Sequence, residues 1–417
     1  MSTISAGTTT TTALVSTGDT TGNLILATGA TPTTALTLNS TTQAATFAGA
    51  VTAPSVTTTG STGSVNSINT FGFKNRIING GMTIDQRNAG ASVTPTTGQY
   101  LVDRWSALLT QASKYTAQQN AGSVTLPAGY INYLGITSSS AYSVAAGDFF
   151  AIVQKIEGLN IADLAWGTAN AKTVTLSFQV YSSLTGTFGG NLKNSAGNRS
   201  YPFTYSIPVA NTWTSISVTI AGDTSGTWLT TNGIGIEVNI GLGVGTTYSG
   251  TAGAWSANNY VSATGAVSVV GTSGATFYIT GVQLEVGSQA TSFDFRSYGT
   301  ELALCQRYFL AFKGSDAANN YTRIAIGPCS GSTQGFGMRY LGVAMRAAPT
   351  SVTYSGSVAV YDGISLLAIT ALSLDGAGTY NTVYFAWTVA SGATSTHYYD
   401  LLINNSSPSY VFLTAEL

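Results

Sequence analysis

The chain has 417 residues, enough for two or three domains of ordinary size. Only 7% of residues are charged, the net charge is −1, and Gly (48 residues), Thr, Ser and Ala dominate the rest. This balance lacks the clustered Lys/Arg that a phosphate backbone demands, which excludes nucleic acid as an expected partner, and it favours extended backbone.

The opening residues have neither the basic flank nor the apolar run of a secretory signal, so export by that route is not expected. Residues 1–70 hold one charge, Asp19, and one aromatic, Phe47, too little for a packed globule of a single chain. They nevertheless alternate in short strands, placing Leu24, Leu26, Leu36, Leu38, Phe47 and Val51 in thin apolar stripes that end at Gly, Asn-Ser or Pro. Three identical chains wound about an axis would bury those stripes, giving a trimeric β shaft; the competing reading is a Thr/Ser-rich linker.

A Gly/Ser/Asn stretch over 61–70 marks a boundary, and a domain is expected over 71–296. Asn79-Gly80-Gly81 predicts a tight turn with positive φ, flanked by Ile77, Ile78, Met82 and Ile84 as a wedge between shaft and sandwich. Strands are predicted at Thr173–Tyr181, Phe203–Val209, Thr214–Ile220, Gly233–Ile240 and Thr276–Val286, spaced as in an antiparallel sandwich or jelly roll. Asp103-Arg104 beside Trp105 suggests an Arg plane stacked on an aromatic ring to hold the fold, and Gln283 and Glu285 are expected at a sandwich edge. Over 297–313, Leu302, Cys305, Phe309 and Phe312 make one amphipathic stripe, read as a connecting helix. Residues 314–417 return to aromatic-rich strands, among them Tyr321–Ile326, Thr382–Thr388 and Tyr410–Leu413, and form a small β tip domain; core packing is the competing reading for Tyr384 and Trp387. The fold class is thus all-β, and no apolar run is long enough to cross a membrane as a helix.

Two sequence blocks carry a resemblance. Asn75-Arg-Ile-Ile-Asn-Gly-Gly-Met-Thr-Ile-Asp-Gln-Arg87 with Asp103-Arg-Trp105, and Ile279-Thr-Gly-Val-Gln-Leu-Glu-Val-Gly287 running through Glu301-Leu-Ala-Leu-Cys-Gln-Arg-Tyr-Phe309, resemble segments of phage tail fibre and minor tail proteins. Met345–Thr350 and Ala415–Leu417 resemble the opening and end of that family's tip domain. The resemblance implies a virion component at the host-contacting end of a tail, assembled in the host cytoplasm, with residues 1–70 facing other tail proteins. It leaves the host and its glycan unnamed.

Chemistry is not expected. His397, the sole histidine, has no acidic or cysteine neighbour in sequence, and no Gly-x-Ser-x-Gly elbow occurs. The acids available for glycoside hydrolysis, Asp148, Glu157, Asp163, Glu237 and Glu285, are scattered. Cys305 and Cys329 lack zinc spacing and no Asp-rich loop requests calcium, so no cofactor or metal is expected. Aromatic area among Ser, Thr, Asn and Gly suits sugars, whose C–H faces stack on rings. Tyr361, Trp387, His397, Tyr398 and Tyr399 are the leading glycan-binding positions, and Trp228, Tyr248, Trp255 and Tyr260 a second set. The expected function is a homotrimeric receptor-binding tail fibre adsorbing to bacterial polysaccharide. The alternatives are a tailspike-like depolymerase and a purely structural minor tail protein.

Overall fold

Apolar residues alternating with Thr and Ala form the strands of an N-terminal sheet: Ser2–Ser5 (β1), Val15–Thr17 (β2), Leu24–Thr28 (β3), Thr33–Leu38 (β4) and Ala45–Phe47 (β5). Their order is β2-β1-β3-β4-β5, with β1 and β3 parallel and the other pairs antiparallel. The register sets Leu24 opposite Leu38 and Leu26 opposite Leu36, so the stripes read from sequence become neighbours within one chain. The computed structural model describes residues 2–5, 15–17, 24–28, 33–38, 45–47 and 74–417; the expected Val51 stripe position and the 61–70 boundary lie outside them. Two units are distinguished, Met1–Ser67 and Ile68–Leu417.

Within the second unit the first layer pair is an antiparallel sandwich. Its strands are Tyr100–Val102 (β6), Trp105–Leu109 (β7), Tyr115–Gln119 (β8), Leu134–Ser138 (β9), Phe149–Glu157 (β10), Val174–Ser182 (β11), Gly186–Lys193 (β12), Ser200–Ile207 (β13), Thr214–Ile220 (β14), Ile234–Val244 (β15), Ser249–Gly250 (β16), Ser262–Ala263 (β17) and Thr276–Val286 (β18). One sheet runs β13-β12-β15-β10-β7-β6, the other β14-β11-β18-β9-β8, with β16 and β17 a short separate pair. Period-2 alternation turns Leu176, Phe178 and Val180 of β11 inward, where they join Trp105, Phe150, Phe188, Phe203 and Phe277 in one core.

Helix α1 (Tyr298–Gln306) is shorter than the 297–313 helix predicted. The stripe's second half, Phe309–Lys313 (β19), is a strand because it pairs with Tyr410–Thr414 (β27), with Phe309 opposite Thr414. Cys305 is buried as expected for an apolar helix face. Between those strands lie Arg323–Pro328 (β20), Gln334–Tyr340 (β21), Ser351–Ser355 (β22), Val358–Tyr361 (β23), Leu366–Leu374 (β24), Thr382–Val389 (β25) and Tyr398–Ile403 (β26). β22 completes a three-stranded sheet with β27 and β19, and β20-β21-β25-β24-β23-β26 close into a barrel. No helix among the described residues is long and apolar enough to cross a membrane.

The segment 75–84, the α1–β19 connection and the C-terminal residues pack on the sandwich at a joint built from polar groups. Asn75 donates to the Val282 carbonyl (3.0 Å) and accepts from the Ile77 and Leu284 amides, while Asn79 spans Ile84 and Asp103 (both 2.8 Å). Gln154 brackets both backbone groups of Ile78 at 2.9 Å. Of the three expected positions Asn79 takes the positive φ (57°), as does Met82 (55°), and the two glycines do not. Gly80 is required instead by close approach, since a Cβ there would lie 2.1 Å from the Val282 carbonyl oxygen.

Arg104 lies 3.6 Å over the Tyr308 ring and pairs with Glu416, which also pairs with Arg87 at 2.8 Å. Arg307 and Tyr308 both donate to Glu157, at 2.6 Å each. Gln283 and Glu285 are not at an edge as expected. They sit on β18, the middle strand of its sheet, and the Thr291 and Asp294 amides donate to them at 2.8 Å.

Candidate functional site

The barrel resolves the leading set of aromatic positions into two groups. Strand alternation places adjacent residues on opposite faces, so Tyr398 and Tyr399 cannot share a surface. Tyr398 is 65% exposed, whereas Tyr399 and Trp387 are buried, their ring centroids 5.5 Å apart inside the barrel. Tyr399 is therefore corrected from a ligand contact to a core residue, and of the two readings of Trp387 the core one fits its burial. For Tyr384 the core reading does not hold: it is half-buried on β25, where the alternate residues Val383, Phe385 and Trp387 point inward.

Three of the leading positions meet at one barrel end. Tyr361, at the end of β23, pairs with Asp400 of β26, and the Tyr361 hydroxyl donates to the Gly363 carbonyl at 2.8 Å. Asp362 follows; its Oδ1 accepts from the Ile364 (3.0 Å) and Ser365 (2.7 Å) amides, and its Oδ2 lies 3.2 Å from His397 Nδ1. The Ser365 and Ile364 amides, then His397, hold the Asp362 carboxyl far below the usual carboxylate range. The histidine that lacked an acidic neighbour in sequence thus has one in space. This fixes an exposed imidazole beside exposed Tyr398 and half-buried Tyr361, with Ile364 and Leu366 exposed next to them. The cluster presents flat apolar area, an imidazole and backbone groups in one place, which is the chemistry that holds a neutral polyol.

The second set does not form one surface. Trp228 is buried, with Trp166 and Trp255 at 4.7 and 5.4 Å between ring centroids, and Trp255 also packs on Tyr201 at 5.2 Å. Trp228 is corrected to a core residue, and Trp255 is half-buried against it. Tyr248 packs edge-on against Phe149 (4.9 Å), and Tyr260 lies over Gly250, where a Cβ would meet its ring at 2.3 Å.

The scattered acids are engaged locally: Glu157 with Arg307 and Tyr308, Glu237 with Lys193 (3.3 Å), Asp163 with Arg76 (2.7 Å), Glu285 with Thr291 and Asp148 with Tyr142 (both 2.7 Å). No group of three or more metal-ligating side chains occurs among the described residues.

Two features escaped the sequence reading. A cleft of about 180 Å³ is lined by Tyr130, Phe293, Phe295 and Tyr298 with Asp294 and Glu301; its signal was the Phe293-Asp294-Phe295 run. The second is the outer wall of the barrel. On β21, Phe336, Met338 and Tyr340 point outward while Gly335 and Gly337 point inward, a pattern visible in Gly335-Phe336-Gly337-Met338.

No family model matches this chain, and no curated protein matches it. Solved structures give distant likenesses. The tailspike protein 4 enzymatically active domain of Bacteriophage CBA120 is 13% identical with a TM-score of 0.27, over 51% of this chain and 22% of that chain. TmCBM61 in complex with β-1,4-galactotriose is 9% identical (TM-score 0.27; 52% of this chain, 100% of that chain). The family 11 carbohydrate-binding module of Clostridium thermocellum with a β-1,3-1,4-mixed-linked tetrasaccharide is 10% identical (TM-score 0.24; 48% and 98%).

Proposed function

We propose that this chain is the receptor-binding tail fibre protein of a tailed bacteriophage, a homotrimeric adhesin without enzymatic activity that attaches to bacterial surface polysaccharide through its C-terminal barrel. The observation that carries the reading is the barrel-end cluster of Tyr361, Asp362, His397 and Tyr398, where an exposed ring and an anchored imidazole stand together. The tail-fibre sequence blocks support the setting, with the chain carried on the virion and residues 1–70 joined to other tail proteins. Engagement of the acids in local ion pairs and hydrogen bonds supports binding over hydrolysis.

The test is binding of the full-length protein to purified host polysaccharide, with reducing-sugar release followed in the same tubes. Saturable binding without release is expected, and Tyr361→Ala with His397→Ala should weaken it about tenfold or more, roughly 1.4 kcal/mol. Released oligosaccharide would favour the depolymerase. No binding to host cells or polysaccharide would favour the purely structural tail component.

A further inference from the structure

We infer that Asp362 holds the proton of His397 on Nδ1 and, resting on the glycan-binding reading, that Nε2 across the ring is the acceptor to which a hydroxyl or amide N–H of the glycan donates.

The carboxylate sets the proton. Asp362 Oδ1 accepts from the Ile364 and Ser365 amides (3.0 and 2.7 Å), and Oδ2 lies 3.2 Å from His397 Nδ1, with the Asp362 side chain only 5% exposed. The Ser365 and Ile364 amides, then His397 and the Tyr399 hydroxyl, hold this carboxyl far below the usual carboxylate range. An ionised carboxylate accepts and cannot donate, so the ring nitrogen that meets it must carry the hydrogen. A neutral imidazole has a single N–H, and the bond made by one nitrogen fixes the state of the other. Nδ1 is therefore the donor, and Nε2 keeps its lone pair.

The ring is positioned as well as protonated. The His397 amide donates to the Thr394 carbonyl (3.1 Å), the His397 carbonyl accepts from the Cys329 amide (2.8 Å), and the Thr396 amide donates to the Cys329 carbonyl (3.0 Å). A backbone tied on both sides and a ring tied at Nδ1 leave Nε2 in one place, while the His397 side chain stays 48% exposed. Such preorganisation lowers the cost of ordering a contact on binding.

The other polar side chains of the cluster narrow the ligand. Asp362 is committed to the protein, and the Tyr361 hydroxyl donates to the Gly363 carbonyl (2.8 Å). Asp400, opposite Tyr361, pairs with Arg323 at 3.2 Å, so the nearby cation is engaged. Nε2 thus offers a lone pair beside an ionised carboxylate. A sugar hydroxyl or acylamido N–H satisfies it. A carboxylate or sulfate on the sugar would bring a second acceptor and a like charge, with no hydrogen to share.

His397 is the sole histidine of the chain, so isotope labelling of histidine reports this one ring in the full-length protein without ligand. At mildly alkaline pH the nitrogen NMR spectrum should show the proton on Nδ1 and none on Nε2. In Asp362→Asn, whose amide N–H can donate to Nδ1 while its oxygen keeps the two backbone bonds, the proton should move to Nε2. A wild-type ring protonated on Nε2 overturns the inference. Binding to purified host polysaccharide is then compared at the same pH. His397→Gln sets an amide oxygen near the Nε2 position and His397→Leu does not, so the Gln variant should bind about three- to tenfold more tightly, the worth of one hydrogen bond. Asp362→Asn should weaken binding by a similar factor. If the Gln and Leu variants bind alike while Tyr398→Ala loses binding, the acceptor role is overturned and the glycan-binding reading stands. Absence of binding by the wild-type protein overturns that reading and the acceptor role with it.

Discussion

The joint and the barrel differ in where they spend polar and apolar residues. At the joint, Asn75, Asn79, Asp103, Arg104, Gln154 and Glu157 are buried and engage backbone or charged partners, so polarity serves to lock two layers together. On the barrel, Ile326, Met338, Tyr340, Ile364 and Tyr398 are exposed, so apolar area is held out to solvent. Sequence motifs are easiest to see in the first kind of region, because buried polar groups demand particular side chains at particular spacings. The blocks at 75–87, 103–105 and 301–309, which resemble phage tail protein segments, fall largely on this joint. They report how the chain is held together, and the proposed ligand surface lies elsewhere.

Removing one buried charge tests the joint most severely. Glu416→Ala leaves Arg104 buried without its carboxylate partner and should cost about 3–5 kcal/mol in urea unfolding. A loss below 1 kcal/mol would mean that water replaces the carboxylate and the joint is not a lock.

Asp103 sharpens the same point through pH. Burial pushes its carboxyl from 3.8 up to about 6, against the opposing pull of Arg87 and Gln86. With the folded value raised, its contribution is fully present below pH 3.8 and is lost as pH rises through about 6. Wild type should therefore lose, on the order of 2–3 kcal/mol, its advantage over Asp103→Asn between pH 4 and pH 7. A difference that is flat across this window would show that Asp103 titrates normally.

Legibility followed the physics of each element. β14 and β18 run over Thr214–Ile220 and Thr276–Val286, the spans predicted, because alternation with clear turn residues on both sides is a local signal. The end of α1 was not local: Phe309 and Phe312 fit a helical stripe as well as a strand, and only β27, about a hundred residues on, decides between them. In the barrel both strand faces carry apolar residues, so inside and outside cannot be told from composition. Alternation along β26 still requires that Tyr398 and Tyr399 part company, a constraint legible in the sequence. The contact of His397 with Asp362 depends on two loops meeting at one barrel end and had no sequence signal.

The most direct test of the central claim sets an exposed residue against a buried one from the same expected site. Tyr398→Ala and Trp387→Ala are compared for host-cell binding and thermal unfolding in the full-length protein. Trp387→Ala should destabilise by about 3–5 kcal/mol through loss of its core contacts. Tyr398→Ala should change stability by no more than about 0.5 kcal/mol while lowering cell binding about tenfold. Normal binding by a folded Tyr398→Ala protein would contradict the account and remove the barrel end as the receptor-binding surface.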